Sequence, residues 1–408
     1  MKSDKRSPTP ALPKREGDPN IWLTAPSLWG RAGVGLILCL ILCGCITEFE
    51  LKGINEIEGI LVVEGIITDD ESVITLSRSK GLSYEDDLRD LSPYHVTDAK
   101  VYIECDDGKQ WDVTSQNSGK YTIANGKLNP ERQYRIKIES DEQVYASDFA
   151  YPLVPPEIDS VFWTKKESGQ PVNIHVSTHA PDSTARYYRW SYIDVWVFRS
   201  NIKYNSDICG RCNIYVSHAT NFCPICGIRV RYPHYCWSST SNTELLIGST
   251  EKTGFGNVTE IIAEINPMDR KLSLLYRIEV MQYAISKRAF DYYTNIKKNA
   301  QQTGSLFAHI PAEIKGNISC ITDPRRPVIG YMDVSTAVAS KKLYLKPDVY
   351  EFSILQRECF PPVLYYPIPP EYIIVPGAGV FYPECVDCEL DGGNPIFYLP
   401  DDWPYHYE

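Results

Sequence analysis

In RYYRWSYIDVWVF (residues 186–198) the large side chains Tyr188, Trp190, Tyr192, Trp196 and Phe198 all fall at even positions. An extended chain sends alternate residues to opposite faces, so this spacing describes a strand with a large aromatic surface on one face. Such a face is a core surface; a platform on which a ligand stacks is its other use. The same period of two runs through GILVVEGIIT and SVITLSRS, which are separated by Asp69, Asp70 and Glu71. It recurs in AKVYIECDDGKQWDVT, where Val101, Ile103 and Cys105 share a face and Asp107-Gly108 supplies a hairpin turn. Tyrosine reaches 28 residues and proline (29) exceeds glycine (25), a mix that suits a β-rich, loop-rich exported chain. The expected fold class is mainly β.

The order of these signals divides the chain. Residues 46–154 read as an immunoglobulin-like β-sandwich. There Leu128 stands six residues before Tyr134, with Ile136 and Ile138 alternating after it. That is the spacing of a tyrosine corner, in which a Tyr hydroxyl bonds upstream backbone. The Pro cluster of YPLVPPEIDSVFW (151–163) marks the boundary. Residues 155–358 read as a larger β-rich domain with one amphipathic helix near 286–303. Ser286 caps that helix, Ala289/Phe290, Tyr293, Ile296/Lys297 and Ala300 recur at helical spacing, and Gly304 ends it. From Cys359 to the end the chain is a Pro-, Tyr- and Cys-rich extended tail, since proline at this density excludes central strands.

Residues 33–45, GVGLILCLILCGC, are apolar but shorter than the roughly 20 residues a membrane span needs. They fit the apolar region of a secretory signal, and Leu42-Cys43-Gly44-Cys45 has the spacing of a lipobox. Residues 1–45 are therefore expected to be a signal peptide, with Cys45 lipidated as the first mature residue. The Pro-rich stretch before the apolar run is unlike a signal's basic start, which suggests a translation start further along. Lipid at Cys45 would hold the chain on the outer membrane.

The chain has 13 cysteines. With Cys39 and Cys43 in the signal and Cys45 carrying lipid, ten remain, and an exported chain with an even set favours disulfides. Cys209, Cys212, Cys223 and Cys226 form two Cys-x-x-Cys units in CGRCNIYVSHATNFCPICG (209–227). Four such thiolates suit a structural zinc site, and two bridges stapling one hairpin suit the same spacing; both readings stand. Cys236, Cys359, Cys385 and Cys388 are further disulfide candidates.

Other chemistry leaves little trace. There is no Gly-x-Ser-x-Gly, no phosphate-binding loop and no His-Glu-x-x-His, so no catalytic residue is expected. The acidic run 84–90 lacks repeated ligand spacing, and His175 and His179 share a strand face without a third ligand. The net charge is −11; residues 1–45 hold six Lys/Arg against three Asp/Glu, so the remainder carries −14 and no nucleic-acid partner is expected.

In order, ITEFE, LVVEGIITD, PPEIDSVFW, RYYRWSY, YCW, SKRAFDYYTNIKKN, GSLF, GNISC, VIGYMDVS and a tail with Cys385, Asp387, Cys388, Gly392, Gly393, Pro400 and Trp403 resemble the Bacteroidota lipoproteins grouped as domain of unknown function 4249. That family has no assigned activity. The resemblance implies an envelope location, with members often encoded beside outer-membrane TonB-dependent transporters. The expected function is thus a lipid-anchored binding or accessory subunit beside such a transporter, serving nutrient uptake. An envelope hydrolase and a purely structural envelope protein are the alternatives.

Overall fold

The structure, a computed structural model, describes residues 59–79, 94–180, 185–204, 206–209, 212–217, 220–227, 229–251, 256–267, 269–302, 315–346, 359, 373–375 and 379–395. Cys45 with its signal, the acidic run 84–90, Pro400 and Trp403 lie outside them. The described part is mainly β with one long helix, as the alternation predicts.

Two five-stranded sheets face each other across the first core. One runs Val328–Gly330, Leu61–Ile66, Asp70–Arg78, Lys120–Gly126, Ser115–Asn117; the other runs Ile318–Cys320, Gln143–Ser147, Tyr134–Ser140, Lys100–Cys105, Gln110–Asp112. Alternate residues of both sheets meet inside: Leu61, Val63, Ile74, Leu76, Tyr121 and Ile123 pack on Val101, Ile103, Ile136, Ile138 and Tyr145. The turn at Asp107-Gly108 closes as expected, with Gly108 at φ 90 and its N–H on the Cys105 carbonyl. Tyr134 is buried, and its hydroxyl accepts from the Asn129 N–H at 2.8 Å, the bond the Leu128–Tyr134 spacing predicts. Two short strands, Ile318–Cys320 and Val328–Gly330, come from beyond the helix, where sequence order alone assigns them to the second region. Each extends one sheet at its edge, the latter parallel to Leu61–Ile66.

The second core lies between a three-stranded sheet (Asn257–Ile265, Val172–His179, Ile158–Thr164) and a larger one. The larger sheet is centred on Tyr187–Arg199, which pairs with Leu275–Ala284 on one side and with Tyr235–Ser241 and Leu246–Ser249 on the other. Tyr188, Trp190, Trp196 and Phe198 all enter this core, and Tyr192 packs against it, so the aromatic stripe is a packing surface. Asp194 falls on the same face and is also buried. It is held by Lys271 Nζ at 2.8 Å and the Tyr276 hydroxyl at 3.2 Å, which supply the charge and hydrogen bond a buried carboxylate requires.

The helix Lys287–Gln302 starts where Ser286 caps it: Ser286 Oγ accepts from the Ala289 N–H at 3.1 Å. Its buried residues Ala289, Tyr292 and Tyr293 pack with Ile285 and Tyr331. In the tail, Ile373–Val375 pairs with Gly379–Phe381, and Asn394–Pro395 extends the larger sheet as an edge, the position proline tolerates.

Candidate metal centre and ligand cleft

The antiparallel pair Tyr187–Arg199 and Tyr235–Ser241 is joined by residues 200–234, which hold the four clustered cysteines. This connection contains an internal repeat fourteen residues apart. Ser206-Asp-Ile-Cys-Gly-Arg-Cys-Asn-Ile-Tyr-Val216 is echoed by Thr220-Asn-Phe-Cys-Pro-Ile-Cys-Gly-Ile-Arg-Val230. The structure repeats with it. Ile208 bridges Tyr215, and Phe222 bridges Arg229. Val216 N–H bonds Asp207 O and Val230 N–H bonds Asn221 O, both at 2.8 Å. In each turn the residue after the second cysteine folds back on the first: Asn213 N–H to Cys209 O at 2.8 Å, and Gly227 N–H to Cys223 O at 2.9 Å. Both Asn213 (φ 51) and Gly227 (φ 69) are left-handed, a conformation Asn and Gly adopt most readily.

These two turns bring the four sulfurs together. All lie within 4.8 Å of one another, and Cys209 Sγ is 3.5 Å from Cys226 Sγ across the repeat. All four are free thiols, as are Cys105 and Cys320. The crossed bridges weighed from spacing are therefore not formed here, whereas the other candidates are bonded: Cys236 to Cys388 and Cys359 to Cys385. Backbone N–H groups of Cys226, and then of Ile225, face the Cys223 sulfur and bring its thiol down to about 7. Cys212 is held up at about 12, first by its hydrogen bond with the Cys226 thiol and next by burial. Among the described residues no other group of three or more His, Cys, Asp or Glu converges in this way. His175 and His179 do share a face, but each is engaged separately, with Thr164 (2.8 Å) and Asp159 (2.6 Å).

The insertion is fastened to the tail. Arg229 Nη1 reaches Asp387 at 2.9 Å and Glu389 at 2.5 Å, and Asp387 lies between the disulfide-bonded Cys385 and Cys388. Ile202 N–H bonds the Cys385 carbonyl at 2.9 Å. Arg231 pairs with Asp207 at 2.6 Å and donates to the carbonyls of Val216, Ser217 and Thr220. Ile208, Tyr215, Phe222 and Ile225 remain exposed, Tyr215 at 64% and Ile225 at 71%.

A second concavity of about 240 Å³ opens where the two sandwiches and the helix meet. Tyr292, Tyr293, Tyr331 and Trp190 form its aromatic wall, with Arg189 inside and Glu64 and Glu244 among its lining. Arg189 donates to the Tyr293 hydroxyl at 3.2 Å and stands 5.3 Å from the centre of that ring. Burial pushes the Tyr292 phenol up to about 12. Five chain segments supply this lining; the strand and helix spacings that carry Val63, Trp190, Tyr293 and Ile296 are visible in sequence, but their convergence is not.

Together these features define a protein of two β-sandwiches, the first completed by two strands from beyond the helix, with a four-cysteine ribbon inserted in the larger sheet. The family described as domain of unknown function DUF4249 matches residues 46–341, and this chain belongs to it. No curated protein matches it in sequence. Among solved structures it is similar to the adhesin InvE of Yersinia pseudotuberculosis (18% identity, 55% of this chain, 54% of that one, TM-score 0.16). It is also similar to a DUF4785 family protein of Legionella pneumophila (12%, 54% and 52%, TM-score 0.14) and to chitinase ChiA74 of Bacillus thuringiensis (12%, 50% and 29%, TM-score 0.13). The chain thus spans about half the length of the first two, and scores of this size mark no common overall fold.

Proposed function

We propose that this protein is a lipid-anchored outer-membrane binding protein, attached through Cys45, that works as an accessory subunit of a TonB-dependent transporter in nutrient uptake. The observation that carries the binding role is the cleft between the sandwiches. Its tyrosine wall, one guanidinium and peripheral carboxylates suit reversible holding of a polar ligand, with contact to Tyr292, Tyr293 and Tyr331 and orientation by Arg189. The lipobox spacing supports the anchor, and the transporter partner rests on what the resemblance to the family implies. The exposed Ile208, Tyr215, Phe222 and Ile225 on the firmly held ribbon are the kind of apolar group a protein partner covers.

The test is ligand release. Protein extracted from its own membrane is denatured, and the small molecules freed are compared with those from Thr243→Trp, a substitution at an exposed cleft residue. The binding role expects a molecule released by the native chain and absent from the variant. Identical release from both removes the cleft from the proposal, and no release, together with unfolding temperatures unmoved by peptides or saccharides, removes the binding role.

A further inference from the structure

We infer that Cys209, Cys212, Cys223 and Cys226 hold one zinc(II) ion, and that this ion, not disulfide bonding, is what folds the insertion 200–234. This rests on the ribbon alone and is independent of the cleft. Four thiolates around zinc at about 2.3 Å form a tetrahedron whose edges are about 3.8 Å. The four sulfurs here, mutually within 4.8 Å and with one cross-repeat pair at 3.5 Å, already approach that figure. A disulfide would require about 2.0 Å between partners, and so a rearrangement of turns that the backbone bonds at Asn213 and Gly227 hold in place.

The repeat adds an independent reason. Two turns of the same design, fourteen residues apart, each contribute two sulfurs to one point. That arrangement closes a four-coordinate site and leaves no position open for substrate. The packing supplies another. The local core consists of Cys209, Val216, Cys223 and Val230 with Cys212, Ile214 and Cys226 against it, so cysteine provides most of the interior. Three aliphatic side chains bury too little surface to order an insertion of this size, and small units of this kind depend on a cross-link or a metal. Loading is balanced without an oxidant: four S–H bonds are replaced by four Zn–S bonds, four protons go to solvent, and no electron moves. The centre then carries a net charge of −2. Arg231, paired with Asp207, donates to carbonyls of Val216, Ser217 and Thr220 and so ties together the chain between the two turns. The two disulfides lie elsewhere: Cys236–Cys388 fastens the tail to the larger sheet, and Cys359–Cys385 closes a loop within the tail.

The experiment uses the mature chain extracted from its own membrane without added metal. Elemental analysis is combined with alkylation of each cysteine, mapped by mass spectrometry before and after a strong chelator, and before and after reduction. About one zinc per chain is expected, with the four ribbon cysteines alkylated only after chelation. Cys236, Cys359, Cys385 and Cys388 should react only after reduction. Absence of zinc with ribbon cysteines that need a reductant overturns the inference, and so does stoichiometric iron, visible by its colour. Cys212→Ser with Cys226→Ser is expected to lower zinc from about one per chain to near zero. Should that variant fail to fold, hydrogen exchange of the chelated native chain decides the folding role. Protection is expected to vanish across 200–234 while persisting in Tyr187–Arg199 and Leu275–Ala284. Unchanged protection in 200–234 after zinc has left overturns that role.

Discussion

Arg229→Met should loosen the ribbon from the tail by an amount the structure bounds. Arg229 reaches Asp387, whose side chain is only 2% exposed, and its own side chain is 24% exposed. Removing one partner of a buried ion pair costs about 3–5 kcal/mol, because the remaining charge is left without compensation. Burial already raises the Asp387 carboxyl above its ordinary range, and proton uptake together with the Glu389 N–H bond limits the cost of that loss. Water reaches the guanidinium in part, and the Glu389 contact is more solvated, which together reduce the expected cost to about 2–4 kcal/mol. Methionine keeps the apolar stem and isolates the charge. Asp387→Asn should cost less, about 1–2 kcal/mol, since an amide oxygen can still accept from the Glu389 N–H at 2.9 Å. Combining the two should cost less than their sum by about 1–3 kcal/mol, as expected for residues in direct contact. The assay is native-state hydrogen exchange on peptides covering 220–234 and 379–395. A cost of 2–4 kcal/mol lowers protection there by roughly 30-fold to several hundred-fold. A change under threefold, or single effects that simply add, would refute this account of how the ribbon is held.

Two further perturbations probe the body of the fold. Asp333 is buried, accepts from the Ser286 N–H at 3.0 Å, and is pushed up to about 6 by burial, opposed mainly by those Ser286 bonds. Its folded pKa lies above the unfolded value near 3.9, so this group favours the fold below pH 4, and that contribution is lost as pH rises through 6. Asp333→Asn should therefore raise stability by about 1–3 kcal/mol at pH 7.5 and by little at pH 4, read by urea unfolding at both pH values; equal effects at the two would contradict the assignment. Tyr134→Phe removes the acceptor for the Asn129 N–H and should cost about 1–2 kcal/mol in the same assay, whereas a neutral result would show that the corner bond contributes nothing.

What could be read in the sequence tracks how local each signal is. The Tyr188–Phe198 stripe, the Tyr134 corner and the Ser286 cap depend on spacings of two to six residues, and each appears in the structure. Ile318–Cys320 and Val328–Gly330 are too short to display a period, and their partners lie over 170 residues away, so their place in the first sandwich is set by the packed core alone. Cys236 and Cys388 are 152 residues apart, a pairing no spacing encodes. The ribbon is an intermediate case: the Cys-x-x-Cys units are visible, and the fourteen-residue echo from Ser206 to Val230 is present in the letters, but only its geometry separates thiols from bridges. The cleft is the opposite extreme. Glu64, Arg189, Glu244, Tyr292 and Tyr331 come from five segments, and nothing in their neighbourhoods in sequence marks them as meeting.

The measurement that bears most directly on the proposed role is co-purification of the native lipoprotein from outer membranes solubilised in mild detergent. The account predicts that a TonB-dependent transporter is recovered with it in roughly equal amount. Recovery of the chain in quantity with no transporter attached would contradict it.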